Sequence, residues 1–130
     1  MDDSKSCPFC SIRDQIQYET ENVIAIPDKY PVTKYHTLII PKRHVASYFE
    51  MTDSEHMDCI NLITAIQVVL YKLDDRITGF NVGTNIGTDA GQTVHHCHIH
   101  LIPRRKGDTE NPRGGVRAVI PTKADWQALL

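Results

Sequence analysis

The chain has 130 residues, of which 41% are hydrophobic and 23% charged, and its formal net charge is −2. This length and composition predict one soluble globular domain, and the lack of a basic excess argues against a nucleic-acid partner. No apolar stretch has the length of a secretory signal or of a membrane-spanning helix, which favours a cytoplasmic protein without a membrane partner.

The N-terminal segment, residues 1–20, contains a Cys-x-x-Cys pair formed by Cys7 and Cys10. In a reducing compartment this spacing favours half of a metal site over a disulfide, and Cys59 and Cys97 are predicted to be buried thiols. A closed tetrahedral zinc site needs two further ligands, so the pair alone is a weak signal. A simple pair of reduced thiols remains the alternative.

Two strands are predicted after this segment, at residues 22–26 and 36–41. Both runs are rich in β-branched residues and are bounded by prolines, which is typical of short strands. The residues between them, 28–35, are predicted to form a loop. His36 begins the second strand and receives no role at this point.

A long amphipathic helix is predicted to begin after Thr52. Thr52 and Glu55 have the spacing of a capping box, in which each side chain bonds the backbone N–H of the other residue. Apolar residues then recur at spacings of three and four over about five turns. They are Met57, Ile60, Ile63, Ile66, Leu70 and Leu73. We expect this face to cover one side of a sheet.

The second half of the chain predicts two more strands joined by a tight connection. Residues 79–86 form the first strand, residues 87–91 form the glycine-containing connection, and the next strand contains three histidines. A short final strand is predicted at residues 116–120. The order of strands and helix predicts an α+β fold with a mainly antiparallel sheet, one long helix and short helices.

The histidines at positions 96, 98 and 100 alternate with apolar residues. Successive side chains of a strand point to opposite faces, so His96, His98 and His100 are expected to share one face while the apolar residues pack on the other. A packed face would have to satisfy the ring nitrogens of all three imidazoles. Two chemistries remain open: zinc ligation, and nucleophilic attack by a central imidazole with help from its neighbours.

The histidine run carries a specific resemblance. Residues 96–102, His-Cys-His-Ile-His-Leu-Ile, match the His-φ-His-φ-His-φ-φ signature of the histidine-triad (HIT) family, in which φ is apolar. Residues 91–94 and 36–44 resemble the family's lead-in and its strand and turn. The resemblance covers most of residues 7–106. It implies a single HIT domain over residues 1–130 with a HIT-like fold, a C-terminal tail at 107–130, and a homodimer.

The resemblance implies a nucleotide-binding hydrolase or nucleotidyl transferase that acts at an α-phosphate. On this interpretation His98 is the nucleophile and forms a nucleotidyl-histidine intermediate that water then opens. A neutral imidazole nitrogen is nucleophilic near pH 7 when the other ring nitrogen donates to a fixed acceptor. His100 is expected to bond the nonbridging oxygens in the transition state, and His96 to support the site.

The resemblance also implies residues that contact the nucleotide. The matching positions are Asp28 for the ribose hydroxyls, and Asn85, Gly91, Gln92 and Thr93 for the phosphates and the leaving group. An ionised carboxylate only accepts hydrogen bonds, which suits two hydroxyls, and a glycine lets a phosphate approach the backbone. From the local sequence alone, Asp28 is better explained as a turn residue next to Pro27, and for Gly91 a turn residue is an equally plain explanation.

Some branches of the family carry a structural zinc, and this chain has all four matching ligands. They are Cys7, Cys10, His44 and His96. Zinc at these positions is expected to tie the N-terminal segment to the sheet and not to act as a Lewis acid on the substrate. His96 would then serve as a zinc ligand that buttresses the catalytic site.

The expected partner is a purine nucleotide or dinucleotide, and the motif does not separate its chemical classes. The run Pro103-Arg104-Arg105 favours dinucleoside polyphosphates, because positive side chains suit extra phosphates. A solvated basic cluster is the plain alternative for these arginines. Nucleoside phosphoramidates are the second class of substrate. A nucleotide-binding regulatory module with vestigial catalysis is the alternative to an enzyme.

Overall fold

The computed structural model describes residues 6–130 and contains one five-stranded antiparallel sheet. The strands are β1 (Tyr18–Glu19), β2 (Val23–Pro27), β3 (Thr37–Pro41), β4 (Ile77–Gly83) and β5 (Ile99–Arg105). Their order across the sheet is β1-β2-β3-β5-β4. The long helix α1, Asp53–Leu73, connects β3 to β4, and short 3-10 turns complete the chain. The predicted α+β class is therefore confirmed.

The strand predictions near the N-terminus are confirmed to within one residue, and those near the C-terminus are less accurate. The strand predicted at 79–86 begins and ends earlier, as β4. The predicted final strand at 116–120 is wrong, because Gly115–Val119 forms a 3-10 helix. Gly114 has a φ of 86°, in the left-handed region, and turns the chain into i to i+3 hydrogen bonds instead of an extended run.

The helix begins with the predicted capping box. The Thr52 hydroxyl accepts the Glu55 N–H at 3.1 Å, and the Glu55 carboxylate accepts the Thr52 N–H at 2.8 Å. The two side chains thereby satisfy two of the N–H donors that the start of a helix leaves unpaired. The helix packs on one face of the sheet and forms the main core. This core contains Val23, Ala25, Ile39, Cys59, Leu62, Ile66, Leu70, Cys97, Ile99 and Leu101.

The helix has two apolar stripes, one buried and one exposed, and the face predicted from the sequence contains residues of both. Ile66 and Leu70 are buried as predicted, but Met57 and Ile60 are 55% and 56% exposed and Leu73 is also exposed. The stripe that faces the sheet is Cys59, Leu62, Ile66 and Leu70. A second stripe points away from the core and consists of Met57, Ile60, Val68 and Tyr71. Among the described residues, no helix is long and apolar enough to cross a membrane.

The other face of the sheet is also apolar and is covered by the N-terminal segment. Ile24, Ile26, Leu38 and Ile40 are buried there, and the partly buried side chains of Phe9, Ile12 and Ile16 pack against them. Leu38 pairs with His100 across β3 and β5, so the two residues lie on the same face. The helix face therefore holds the main core, and the opposite face presents the histidines.

Candidate active site and metal site

The histidine run enters the sheet later than predicted. β5 begins at Ile99, so His100 lies in the strand whereas His96 and His98 precede it. The backbone before β5 bonds to loops: the Cys97 N–H donates to the Val45 carbonyl at 2.7 Å, and the Thr84 hydroxyl donates to the His98 carbonyl at 2.8 Å. The predicted sharing of faces still holds, because the apolar residues between the histidines are buried in the core.

A hydrogen bond to the backbone fixes the tautomer of the His98 ring. Its Nδ1 lies 2.8 Å from the backbone carbonyl oxygen of His96. A carbonyl can only accept, so Nδ1 carries the hydrogen and donates it. The lone pair of the neutral ring is consequently on Nε2. This is the state that a nucleophilic imidazole requires.

A chain of hydrogen bonds also defines the state of His100. The Val32 backbone N–H donates to Nδ1 of His36 at 3.0 Å, so Nδ1 has the lone pair and Nε2 the hydrogen. Nε2 of His36 lies 2.9 Å from Nδ1 of His100 and donates to it. His100 must therefore carry its own hydrogen on Nε2. That N–H is free to donate to an anionic oxygen.

Asp28 lies beside this chain at the start of the loop. One of its carboxylate oxygens accepts the Tyr30 N–H at 2.7 Å, and the other lies 3.4 Å from His36 Nε2 and 3.9 Å from His100 Nδ1. Burial lowers the pKa of His36, and Asp28 partly opposes this effect. Burial also lowers the pKa of His100, aided by the neighbouring His98 and His36 rings. Both rings are therefore neutral near pH 7, as the hydrogen-bond chain requires.

His36 belongs to the candidate site but received no role from the sequence interpretation. It stands two positions before Leu38, whose strand partner is His100, so strand alternation places His36 on the histidine face. The missing information was the pairing of β3 with β5, since these strands are far apart in the chain. With that pairing, the position of His36 would have indicated its role.

The four predicted metal ligands come together in the structure. From Nδ1 of His96, the distances to Cys7 Sγ, Cys10 Sγ and His44 Nδ1 are 3.4, 3.5 and 3.2 Å. Zinc bonds of about 2.0–2.1 Å to nitrogen and 2.3 Å to sulfur give tetrahedral edges of roughly 3.3–3.6 Å from a nitrogen ligand to the others. Nε2 of His96 donates to the Pro41 carbonyl at 2.7 Å, which directs the Nδ1 lone pair into the cluster. The donor set can hold a metal ion.

A second group of metal-type donors fails the same test. Asp28, His36 and His100 also bring three ligand atoms within 4.8 Å of one another. However, the Val32 N–H requires the lone pair of His36 to be on Nδ1, which leaves a hydrogen on Nε2 where a metal would need the lone pair. This group is therefore a hydrogen-bond chain and not a metal site.

The residues predicted to contact phosphate lie near the loop before the histidines. A Cβ at Gly91, whose φ is 93°, would lie 3.9 Å from the Asn85 side-chain nitrogen, so these two residues are neighbours. Thr93 is exposed. Gln92 is buried, and its amide accepts the Gly87 N–H and donates to the Ala46 and Val94 carbonyls. The prediction of phosphate contact therefore depends on Asn85, Gly91 and Thr93 more than on Gln92.

The two arginines after the triad are paired within the protein. Arg104 donates to Asp108 at 2.8 Å and to the Asn81 side-chain oxygen at 2.6 Å. Arg105 donates to Asp74 at 3.0 Å and to the Lys34 carbonyl at 3.1 Å. Their guanidinium donors are largely engaged by these partners. This weakens the argument that they select substrates with additional phosphates.

Three alternating histidines lie at the start of β5, and the first of them, His96, also belongs to the two-cysteine, two-histidine cluster; this arrangement is a histidine-triad site on an antiparallel sheet. Comparison with known proteins agrees, because the family model for the HIT domain matches residues 11–107. The chain belongs to the HIT family.

Relatives and a solved structure extend this comparison. An uncharacterised HIT-like protein of Methanocaldococcus jannaschii is 40% identical over 109 residues, which are 80% of this chain and 83% of that protein. The asymmetrical bis(5′-nucleosyl)-tetraphosphatase of Schizosaccharomyces pombe is 37% identical over 94 residues, 72% of this chain and 51% of that protein. A zinc-bound histidine triad family protein from Mycobacterium smegmatis has a TM-score of 0.74 at 33% identity, covering 83% of this chain and 81% of that one.

Proposed function

We propose that the protein is a hydrolase that transfers a nucleotidyl group from its substrate to His98 and then to water. One observation carries the proposal: Nδ1 of His98 donates to the His96 carbonyl, which leaves the lone pair on Nε2. Both the neighbouring donor on His100 and the acceptor Asp28 lie on the same side of the sheet. They supply the groups that a phosphate and a ribose need.

The first step joins Nε2 of His98 to the α-phosphorus. The bond from phosphorus to the leaving group breaks, and the leaving group takes the bonding electron pair. The phosphorylated ring becomes cationic, which strengthens its Nδ1–H bond to the His96 carbonyl. The Nε2–H of His100 donates to a nonbridging oxygen as charge develops on it.

In the second step, water attacks the same phosphorus. The phosphorus–nitrogen bond breaks and its electrons return to Nε2 of His98, which restores the neutral ring. The products are a nucleoside monophosphate and a proton released from the attacking water. Asp28 is proposed to hold the ribose hydroxyls with its second oxygen, the one that faces His36 and His100.

We propose dinucleoside polyphosphates as the substrate class. A nucleotide phosphate leaves as a stable anion, whereas the amine of a phosphoramidate must acquire a proton. His36 and His100 are neutral near pH 7, because burial lowers the pKa of both, so they are poor proton donors. The tetraphosphatase of Schizosaccharomyces pombe supports the same choice.

The function is tested by intact-mass spectrometry with product analysis. Wild-type protein is mixed briefly with diadenosine tetraphosphate and, in a separate reaction, with adenosine 5′-phosphoramidate, and each reaction is quenched at neutral and at acidic pH. We expect an acid-labile AMP adduct and faster release of AMP from the tetraphosphate. Faster release from the phosphoramidate would reverse the choice of substrate. If the protein binds nucleotide but forms no adduct and shows no turnover, the enzyme proposal is wrong and the alternative, a regulatory nucleotide-binding module, is favoured.

We further propose that Cys7, Cys10, His44 and His96 hold a structural zinc ion. The distances among their donor atoms suit tetrahedral coordination, and a zinc-bound relative has the same fold. A bound zinc would supply a fixed cross-link between the N-terminal segment and the sheet. His96 would transmit this support, because its backbone carbonyl holds the ring of His98.

A homodimer is proposed from the surface that the fold leaves uncovered. The outer stripe of α1 exposes Met57, Ile60, Val68 and Tyr71. The neighbouring β4 is the last strand of the described sheet, so one of its edges has unpaired backbone groups. A two-fold axis beside this edge would pair both features with their own copies.

The dimer is tested by placing a charge within the outer stripe. Ile60→Glu should convert the dimer to a monomer, because a carboxylate is costly to bury in an apolar contact. Light scattering coupled to size exclusion measures the mass. Ala65→Glu is the matched control, since Ala65 is exposed on the same helix but outside the stripe. Equal masses for wild type and Ile60→Glu would contradict the interface.

A further inference from the structure

Arg105 links three parts of the molecule at the far end of β5. Its Nε donates to Asp74, which follows α1, at 3.0 Å, and its Nη2 donates to the backbone carbonyl of Lys34 at 3.1 Å. The Arg105 side chain is only 13% exposed, and that of Asp74 is 8% exposed. The carboxylate balances the arginine charge. The pair therefore fastens the Lys34 carbonyl to the end of the helix.

The fastened segment is the loop of residues 28–36, which carries active-site groups at both ends. Asp28 begins the loop and His36 ends it. A second tie lies next to the first, where the Thr33 hydroxyl donates to the Pro103 carbonyl at 2.6 Å. Within the loop, the Val32 N–H donates a hydrogen bond to His36 Nδ1. The loop geometry thus decides which nitrogen of His36 has the hydrogen.

The backbone at Tyr35 shows that this loop is held against its own preference. Tyr35 has a φ of 75° and is the one non-glycine residue with positive φ among the described residues. Residues other than glycine rarely adopt this region, so neighbouring contacts must maintain it. The Arg105 bond to Lys34 precedes Tyr35, and the Thr37 hydroxyl donates to the Tyr35 carbonyl at 2.8 Å.

We propose that Arg105, oriented by Asp74, is a positioning residue for His36. By holding the Lys34 carbonyl, it keeps the loop in the shape that presents the Val32 N–H to His36. The ring of His36 then donates to His100, and His100 donates to the phosphate. This inference rests on the proposed function, and Arg105 itself does not contact the substrate.

The test compares Arg105→Lys and Arg105→Met with the matched control Arg76→Met. Arg76 donates to the same Asp74 carboxylate, but its side chain is 71% exposed, and among the described residues its hydrogen bonds go to Asp74 and not to the loop, where it has a coulombic interaction with Tyr35. Lysine keeps the positive charge but cannot bridge Asp74 and Lys34 with two fixed donors. Wild type and all variants are assayed as purified, and the oligomeric state of each is recorded.

The first readout is the tautomer of His36, measured by NMR of protein with 15N-labelled histidine. In wild type and Arg76→Met we expect the hydrogen on Nε2. In both Arg105 variants we expect a mixture of tautomers, together with a kcat on diadenosine tetraphosphate that is lower by roughly tenfold to a hundredfold and a nearly unchanged KM.

Several outcomes would overturn the proposal. An unchanged His36 tautomer in Arg105→Lys and Arg105→Met would do so, whatever their activity. A rise in KM with kcat preserved would instead place Arg105 in substrate binding. If Arg105→Met does not fold, the test uses Arg105→Lys and Thr33→Val. The second variant removes only the neighbouring hydrogen bond from the Thr33 hydroxyl to the Pro103 carbonyl. Absence of turnover in wild type would refute the proposed function, while the tautomer measurement would still decide this inference.

Discussion

His98→Ala should reduce kcat on diadenosine tetraphosphate by roughly ten-thousand-fold or more, because the variant lacks the nitrogen that bonds to phosphorus. Affinity for AMP should change little, since the ribose and phosphate contacts proposed for Asp28, Asn85 and His100 remain. Rapid-quench kinetics and calorimetry measure the two quantities. No AMP adduct should form in the variant.

Chemical rescue makes this prediction more specific. Imidazole added to His98→Ala should restore part of the turnover, because a free imidazole can occupy the vacated space and attack the phosphorus. His95→Ala is the control, since His95 is the exposed neighbour outside the alternating set. His95→Ala should keep wild-type kcat and show no response to imidazole. Substantial turnover by His98→Ala without imidazole would refute His98 as the nucleophile.

Removal of the metal should produce the largest loss of stability. A zinc ion present at a thousandfold above its Kd stabilises the folded state by about 4 kcal/mol. For a chain of this size, a chelator should therefore lower Tm by about 10–20 °C. Differential scanning calorimetry with and without chelator measures the shift. Elemental analysis of the untreated protein should give one zinc per chain.

Two cysteine variants separate the metal from ordinary packing. Cys10→Ser removes a ligand, so its Tm should already be low and should not respond to the chelator. Cys59→Ser alters a buried thiol in the main core, so it should lose stability but still respond to the chelator. A wild-type Tm that is insensitive to chelation, with no zinc in the protein, would contradict the metal proposal.

Local signals made much of the fold predictable. The capping box at Thr52 and the strands around residues 23–27 and 37–41 depend on neighbouring residues, and all three were found as predicted. The helix face was harder, because α1 has two apolar stripes and periodicity does not say which one meets the sheet. Only packing distinguishes Leu62, which is buried, from Ile60, which is exposed.

Features of the candidate site that depend on distant partners were not predictable. The sequence leaves Arg105 open between a phosphate contact and a solvated cation, because its partner Asp74 is 31 positions away in the chain. His36 received no role for the same reason, since His100 is 64 positions away. The four candidate metal ligands were predicted only through the family resemblance. Their spacing in the sequence does not show that Cys7 and His96 meet.

Core side chains and reactive side chains alternate just before and along β5. The number of residues in this stretch therefore matters as much as their identity. Ile99 and Leu101 fill the core beneath α1, while His98 and His100 face the opposite side. Insertion or deletion of one residue here would exchange the two sets, because the side-chain period of extended chain is two. The histidine side chains would then point into the core, and aliphatic side chains would occupy the histidine positions of the candidate site. A one-residue change in the length of this stretch is therefore expected to disrupt the core and the candidate site together, whereas a substitution affects one position.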